Sequence, residues 1–569
     1  MWSKNRLFAG TLLVVLTLLL TAGLALAQGG NYERSETLYT TGNAWSPPTD
    51  WNPITNWNYA TGTIGLCFET PFLYDSLKDE MKPWLAKEGE WVTSDTYMME
   101  LRRGVEWQDG EEFTAEDVKF TFELGERFDG VYYSTIWNWL DEIVAIGEYS
   151  LEFRFSDPLY QQWDNYLYSI AIVPEHRWSD KSQEDVLSAP NKNPIGTGAY
   201  RYETHDQDRM VWVRNEDWWA SDILDYEVAP KYVVDIVNRS NNVSLGMLLQ
   251  GEIDWSNNFL PGVPSLVENY SNIHTYYKEE PYMLSENTAF LFLNLTKKPM
   301  DDPDFRKATA FAIDTSKIVS NVYGNIVKAS GPTGLLPNWS DYVDEDLVDE
   351  KGFSFDPEQA RKILEGAGYE DVNNDGFREA PDGSSFELTI IVPNGWTDWM
   401  QSIRIVADGL KDVGINATVK FPDFGNYSDQ LYGGTFDMAI NNFGSGVSNS
   451  PFTFYEWLFQ SPIKDSMSNG NFGRYENQEV FDLVTELNKT PTSDDQAMKE
   501  TVSDIQDIFL TDLPAIPLWF NGMWFQANTD HWKNWPSGAE DTPDHMPSTW
   551  SGNWEMGGLL TLTELEPAK

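Results

Sequence analysis

Residues 101–118 read LRRGVEWQDGEEFTAEDV. The second half starts a helix. Thr114-Ala115-Glu116-Asp117 is a variant capping box, in which the Thr114 hydroxyl can accept from the third helical N–H, a donor that a helix start otherwise leaves unpaired. The same device recurs further along. Asp356-Pro357 places a cap before a Pro at the first helical position; Ala360, Ile363, Leu364 and Ala367 then share one face, and Gly366 and Gly368 end the helix. Asp302-Pro303 repeats the arrangement ahead of Phe305 to Ala312. Strand patterns lie between these helices. Leu151 to Phe155 and Met210 to Arg214 alternate with period two, and Phe290 to Leu295 and Leu388 to Val392 read as more buried strands. Alternating patterns of this kind predict an α/β protein. There is no internal repeat and no low-complexity linker.

The chain has 569 residues. Lys4 and Arg6 precede an uncharged apolar run from Leu7 to Ala27 that ends in the small-residue triplet Ala25-Leu26-Ala27. This predicts a signal peptide over residues 1–27 and an exported protein. The run is also long enough to act as a retained anchor, and the triplet favours cleavage. No Cys sits at the cleavage point to carry a lipid, and the single Cys67 precludes an internal disulfide. The remaining length exceeds what one core can bury, so two or three domains in a monomer are expected.

Acidic residues outnumber basic ones 89 to 39, a net charge of −50 spread along the chain. That field repels nucleic acid and anionic lipid, and neither is expected as a partner. Aromatic residues reach 14%, with 25 Trp, 26 Tyr and 30 Phe. Many must be core, because aromatic rings bury large areas. Several Trp nevertheless lie in Pro/Gly/Asn-rich, loop-like surroundings.

Seven segments, in order, resemble the family 5 extracellular solute-binding proteins, the peptide- and oligosaccharide-binding subunits of ABC importers. They are residues 101–118; Asn193 to Tyr200 (NPIGTGAY); Arg214 to Trp219 (RNEDWW); Gly251 to Asp254; Asp304 to Ala308 with Ala312 to Asp314; Asp356-Pro357 with its helix; and Leu513 to Leu518 (LPAIPL). The first is similar to the family's strand, Asp-Gly turn and capped helix. The Trp-rich character looks closest to bacterial cellobiose- and oligosaccharide-binding members. The resemblance implies a two-lobed periplasmic-binding-protein fold of the large cluster. The first lobe is expected from 28–76, 190–285 and 515–569, an inserted small domain from 77–189, and the second lobe from 286–514. The ligand would lie between lobes that close about a hinge, a usual place for a small-molecule site. The membrane permease of an ABC importer would be the protein partner.

A sugar presents an apolar C–H face and a rim of hydroxyls, so Trp beside Asn or Asp is the pattern to seek. Four clusters fit: Trp45, Trp51 and Trp57; Trp255 with Asn257 and Asn258; Trp396 and Trp399; and Trp519 with Asn521 and Trp524. Trp218 and Trp219 read as core. Trp532, Trp535, Trp550 and Trp554 fit either tail packing or a site. Peptide-binding relatives commonly carry an Asp that holds the peptide ammonium. The corresponding stretch Asn441 to Pro451 has no carboxylate, and Asn441 and Asn442 suit a neutral polyol better, because a buried ammonium without a partner is costly. A β-linked oligosaccharide (cello-, manno- or xylo-) is therefore expected, with an oligopeptide as the alternative.

Asp371, Asn373, Asp375, Gly376 and Asp382 follow the spacing of a calcium loop, with the Phe377 carbonyl as a further ligand. The alternative is an Asx-rich turn without metal. No other cofactor is indicated. None of the five His pairs at metal-ligand spacing, and no nucleophile elbow, P-loop or dinucleotide fingerprint occurs. A binding protein rather than an enzyme is expected. A secreted glycoside hydrolase is the alternative of another class, because carboxylates are too numerous to exclude a catalytic pair.

Overall fold

The structure is a computed structural model. It describes residues 32–569 apart from 56–58, 76, 79, 443–449, 540–542, 544, 549 and 551–556. The expected signal peptide over 1–27, Trp57 and Trp554 lie outside the described residues.

Three sheets organise the chain, and the class is α/β as expected. A seven-stranded sheet builds the first lobe in the order Ile273–His274, Gln526–Asn528, Trp255–Ser256, Thr37–Thr41, Tyr232–Ile236, Arg209–Arg214, Tyr200–His205. Thr37–Thr41 runs parallel to both of its neighbours. A five-stranded sheet builds the second lobe in the order Ala417–Lys420, Leu388–Ile391, Met438–Asn441, Leu284–Leu293, Ala515–Met523. The inserted domain carries a four-stranded antiparallel sheet, Ala86–Thr93, Thr96–Leu101, Ser150–Phe155 and Leu140–Gly147.

The helix starts are where local chemistry puts them. Ala115–Arg127 begins on the Thr114/Asp117 capping box, with the Asp117 carboxylate accepting the Thr114 N–H at 2.9 Å. Asp302 accepts the Asp304 N–H ahead of Pro303–Phe311, and Asp356 accepts the Glu358 and Gln359 N–H groups ahead of Pro357–Gly366. One expected boundary shifts. The strand Ala515–Met523 pairs with Leu284–Leu293 from Leu284↔Met523 to Phe292↔Ala515. Its ladder places it in the second lobe's sheet, and the chain rejoins the seven-stranded sheet only at Gln526.

Buried Glu69 ties the first lobe to the inserted domain. Its carboxylate accepts three indole N–H bonds, from Trp84 at 3.0 Å, Trp218 at 3.2 Å and Trp219 at 2.8 Å, and a fourth bond from the Thr197 hydroxyl at 2.7 Å. Burial raises its pKa, and the four donors act the other way. Next to it, Gln108 of the 101–118 stretch donates to the Gly198 and Tyr200 carbonyls and accepts from the Gly196 N–H. The glycines of NPIGTGAY are needed here. A Cβ at Gly196 would stand 1.8 Å from the Cys67 carbonyl oxygen, and one at Gly198 2.3 Å from that of Leu66. Three of the recognised sequence segments thus converge on one buried polar knot.

Glu69→Leu strands four buried donors at once. It should lower stability by roughly 4 kcal/mol or more, since each orphaned buried donor costs about 1–3 kcal/mol. Thermal unfolding measures this; a melting temperature unchanged from the parent would refute the role given to the knot.

Candidate functional site

Two polar networks cross between the bodies. The first joins the lobes. The Ser256 hydroxyl donates to the Asn258 side chain at 2.8 Å, Asn258 donates to Asn241 at 3.0 Å, and Asn241 donates to the Asp398 carboxylate at 3.0 Å. The Tyr323 hydroxyl donates to the other Asp398 oxygen at 3.2 Å. Burial holds the Asp398 pKa up at about 6, opposed by these hydrogen bonds. Beside this network Trp45 of the first lobe meets Trp396 of the second, with ring centroids 5.3 Å apart, and Trp399 packs edge-on to Trp396 at 4.7 Å.

The second network joins the inserted domain to the second lobe. Asn165 donates to the Thr453 hydroxyl at 2.7 Å, Gln162 donates to Glu456 at 3.2 Å, and the Asn488 amide donates to Gln162 at 3.3 Å. Here the bodies enclose a cavity of about 590 Å³. Tyr132, Trp139 and Tyr166 form its inserted-domain wall, and Phe452, Trp457 and Phe481 its second-lobe wall. Between the walls lie Thr135, Asn138, Gln162, Asn165, Thr453, Gln460 and Thr485. Its charged lining is Glu456 and Lys464. Burial lifts the Glu456 pKa to about 7.

The expected site residues divide. Trp45, Trp396, Asn521 and Trp524 gather where the first-lobe loops meet the second-lobe sheet, and Trp399 and Trp519, themselves fully buried, pack behind them. Trp524 stacks on Tyr323, centroids 6.0 Å apart and 7° from parallel, and Trp519 packs on the same ring at 5.3 Å. A chamber of about 130 Å³ opens there beside Asn257, Glu286 and Trp524. Asn442 donates to Asn287 at 2.9 Å, and Asn441 pairs with Phe290 in the sheet. Residues 443–449 of the stretch expected to face the ligand lie outside the described residues.

Several buried polar atoms in and around this region have no hydrogen-bond partner among the described residues, among them the indole nitrogens of Trp255, Trp396 and Trp519 and the side-chain oxygens of Asn257 and Asn521. Donors and acceptors both occur, the mixed demand that hydroxyl groups meet.

Other expectations need correcting. Trp51 is wholly buried, donates to the Met210 sulfur at 3.4 Å and packs on Tyr202 and His205. Trp255 is wholly buried among Phe525, Trp535 and Trp550. Both are core, because their neighbours cover every face. Asn258 has spent its amide on Ser256 and Asn241 and serves the inter-lobe network instead.

The acidic loop is built from Asx turns. Asp371 accepts the Asp375 and Gly376 N–H groups, Asn373 accepts that of Asp375, and Asp375 accepts that of Phe377. Asp382, expected at the twelfth ligand position, accepts the Ser384 N–H and hydroxyl. No group of three or more His, Cys, Asp or Glu among the described residues is placed to hold a metal.

The aromatic walls of the 590 Å³ cavity largely lack the loop-borne Trp-Asn pattern sought in the sequence. A signal was present: Trp137-Asn138-Trp139 meets the same criterion, and Phe452 to Trp457 (FTFYEW) directly follows the Asn441 to Pro451 stretch.

The model for bacterial extracellular solute-binding proteins, family 5 middle, matches residues 80–465. A solved structure of a periplasmic oligopeptide-binding protein of an oligopeptide ABC transporter from Thermotoga maritima, with mannohexaose bound, is 47% identical. It covers 94% of this chain and 99% of its own, with a TM-score of 0.91. The oligopeptide-binding protein AppA of Bacillus subtilis is 24% identical over 77% of this chain and 78% of its own length. Its structure with a nonapeptide has a TM-score of 0.76. The glutathione-binding protein GsiB of Salmonella choleraesuis is 25% identical over 76% of this chain and 79% of its own length.

Trp255→Ala should cost about 3–5 kcal/mol of stability, as for a large core side chain. Trp45→Ala, at a half-buried contact between lobes, should cost under about 1 kcal/mol. Thermal unfolding of the two ligand-free variants separates them, and equal losses would contradict the division into core and cleft.

Proposed function

Because the chain belongs to the family 5 bacterial extracellular solute-binding proteins, the substrate-binding subunits of ABC importers, we propose that its cargo is a neutral oligosaccharide, β-linked and of the manno- or cello- type. Members of this family are transport binding proteins rather than enzymes, so the hydrolase alternative is dropped. The protein would work outside the membrane and present its closed form to a permease. No helix among the described residues is long and apolar enough to cross a bilayer.

The observation that carries the reading is the 590 Å³ cavity with aromatic rings on two facing walls and amides and hydroxyls between them. Stacked rings cover the C–H faces of a sugar. Side chains not already bonded within the protein, such as Asn138 and Gln460, pair its hydroxyls, which would otherwise cost about 1–3 kcal/mol each to bury. Two further features agree with it. Buried donors and acceptors lie unpaired near Trp396, and the relative at 47% identity holds mannohexaose. One specific observation favours a peptide instead. Glu456 and Lys464 line the same cavity and could pair an ammonium and a carboxylate. Several relatives are named for peptides.

Both bodies contribute to the cavity, so ligand and closure are coupled. The domains proposed for this motion are the first lobe with its inserted domain on one side, and the second lobe, extended to Met523, on the other.

A melting-shift screen with mannohexaose, cello-oligosaccharides and short peptides decides the cargo. At 100 times its dissociation constant, a ligand adds about 2.7 kcal/mol. Mannohexaose or a cello-oligosaccharide should raise the melting temperature of the parent and do so much less in Trp457→Ala. A rise with peptides and none with sugars would overturn the assignment.

A further inference from the structure

The helix Tyr160–Ser169 separates two cavities. The 590 Å³ cavity lies on one side of it. On the other lies a second cavity of about 630 Å³, whose second-lobe wall is Phe452 with residues 491–493. Asn165, Tyr168 and Phe452 line both.

The second cavity has a different chemistry. One wall is Trp91 with Tyr97 and Tyr160 against it, ring centroids 5.4 and 4.9 Å away. The other is Tyr74 stacked on Tyr168, centroids 5.4 Å apart and 26° from parallel. Asp164 lies between them, and its charge bears on both Tyr97 and Tyr168. Its carboxylate has no hydrogen bond or ion pair with the described residues, and burial alone shifts it.

The cavity's amides are already engaged. Gln161 donates to the Thr490 carbonyl and accepts from the Ser450 hydroxyl, each at 2.7 Å. Asn165 donates to Thr453 and accepts from Tyr168. Glu88 and Glu90 add carboxylates, and the described lining contains no Lys, Arg or His. What remains is an unpaired, half-buried carboxylate between aromatic faces. Both it and the ring faces attract cations.

We propose that this second cavity binds a small organic ammonium ion, seated between the two aromatic walls with its charge against Asp164. The site adjoins the proposed cargo cavity and shares Asn165, Tyr168 and Phe452 with it, but Asp164 lines the second cavity alone, and the proposal holds whichever cargo the first takes. Its occupant would touch the inserted domain and the second lobe together, and so favour the form in which they meet.

Calorimetric titration of the full chain with choline and with putrescine tests this. The two probes distinguish a quaternary from a primary ammonium. At least one should bind, and the neutral tert-butyl analogue of choline should bind far more weakly. Asp164→Asn should weaken the interaction roughly tenfold or more, the scale of a hydrogen bond or contact to a charged group. In the parent, binding should strengthen as pH rises through the Asp164 pKa of about 7, because the carboxylate gains its charge there. The other ionisable groups lining the cavity are Glu88, Glu90 and the Tyr74, Tyr97, Tyr160 and Tyr168 phenols, and burial pushes the Tyr97, Tyr160 and Tyr168 phenols further up. Asp164→Asn should abolish that pH dependence. Binding of neither probe, equal binding by the neutral analogue, or a pH-independent affinity in the parent would overturn the proposal, and these outcomes need no variant.

Discussion

A carboxylate with four donors, buried where two domains meet, is the constraint on which the rest of the structure depends. Glu69 gathers Trp84 at the entry to the inserted domain, Thr197 at its exit and Trp218-Trp219 beyond it. These partners are far apart in sequence, so the bonds form only when the chain has left the first lobe, built the inserted domain and returned. Gln108 adds a second tie by capping backbone groups of Gly196, Gly198 and Tyr200. A buried carboxylate of this kind is weak evidence for net stability, because desolvation offsets much of what its bonds supply. Its value is specificity of arrangement. With every donor matched, few other orientations of the inserted domain would satisfy the same groups.

That rigidity matters because the inserted domain supplies one wall of the cavity proposed for the cargo. Tyr132, Trp139 and Tyr166 stand on it, and Phe452, Trp457 and Phe481 face them from the second lobe. Contacts between the bodies are mostly hydrogen bonds, neutral as in Asn165 to Thr453 or to a carboxylate as in Asn241 to Asp398. A neutral one is worth about 0.5–1.5 kcal/mol net against water and one to a charged group about 1.5–3 kcal/mol. A hinge held by such bonds can open without a large penalty and close when a ligand adds its own contacts to both sides.

The sequence made some of this legible and hid the rest for physical reasons. Helix starts at Thr114, Asp302 and Asp356 were readable because a cap is a local event within four residues. The strand near Leu388 was readable from its run of buried residues. Membership of a sheet is not local: the residues after Ala515 read as a return to the first lobe, and only their ladder with Leu284–Leu293 shows otherwise. The site was half legible. An Asn beside a Trp signals sugar binding only if its amide is free. Asn52 beside Trp51 and Asn258 near Trp255 are not free, since Asn52 donates to the Val186 carbonyl and Asn258 to Asn241, whereas Asn257 keeps its side-chain oxygen unpaired among the described residues. The cavity walls escaped notice because their rings sit on helices, as in Tyr160–Ser169 and Phe452–Leu458, where an aromatic run looks like core until the packing of two bodies leaves a gap.

The central claim is that the space between these bodies holds an oligosaccharide by stacking and by pairing its hydroxyls. A crystal structure of the protein grown with mannohexaose tests it most directly. The account predicts sugar density between the inserted domain and the second lobe, with rings against the Trp139 and Trp457 walls and hydroxyls bonded to side chains such as Gln460 and Asn138. Crystals in which that space stays free of sugar at saturating mannohexaose, or holds a co-purified peptide spanning Glu456 and Lys464 instead, would contradict it.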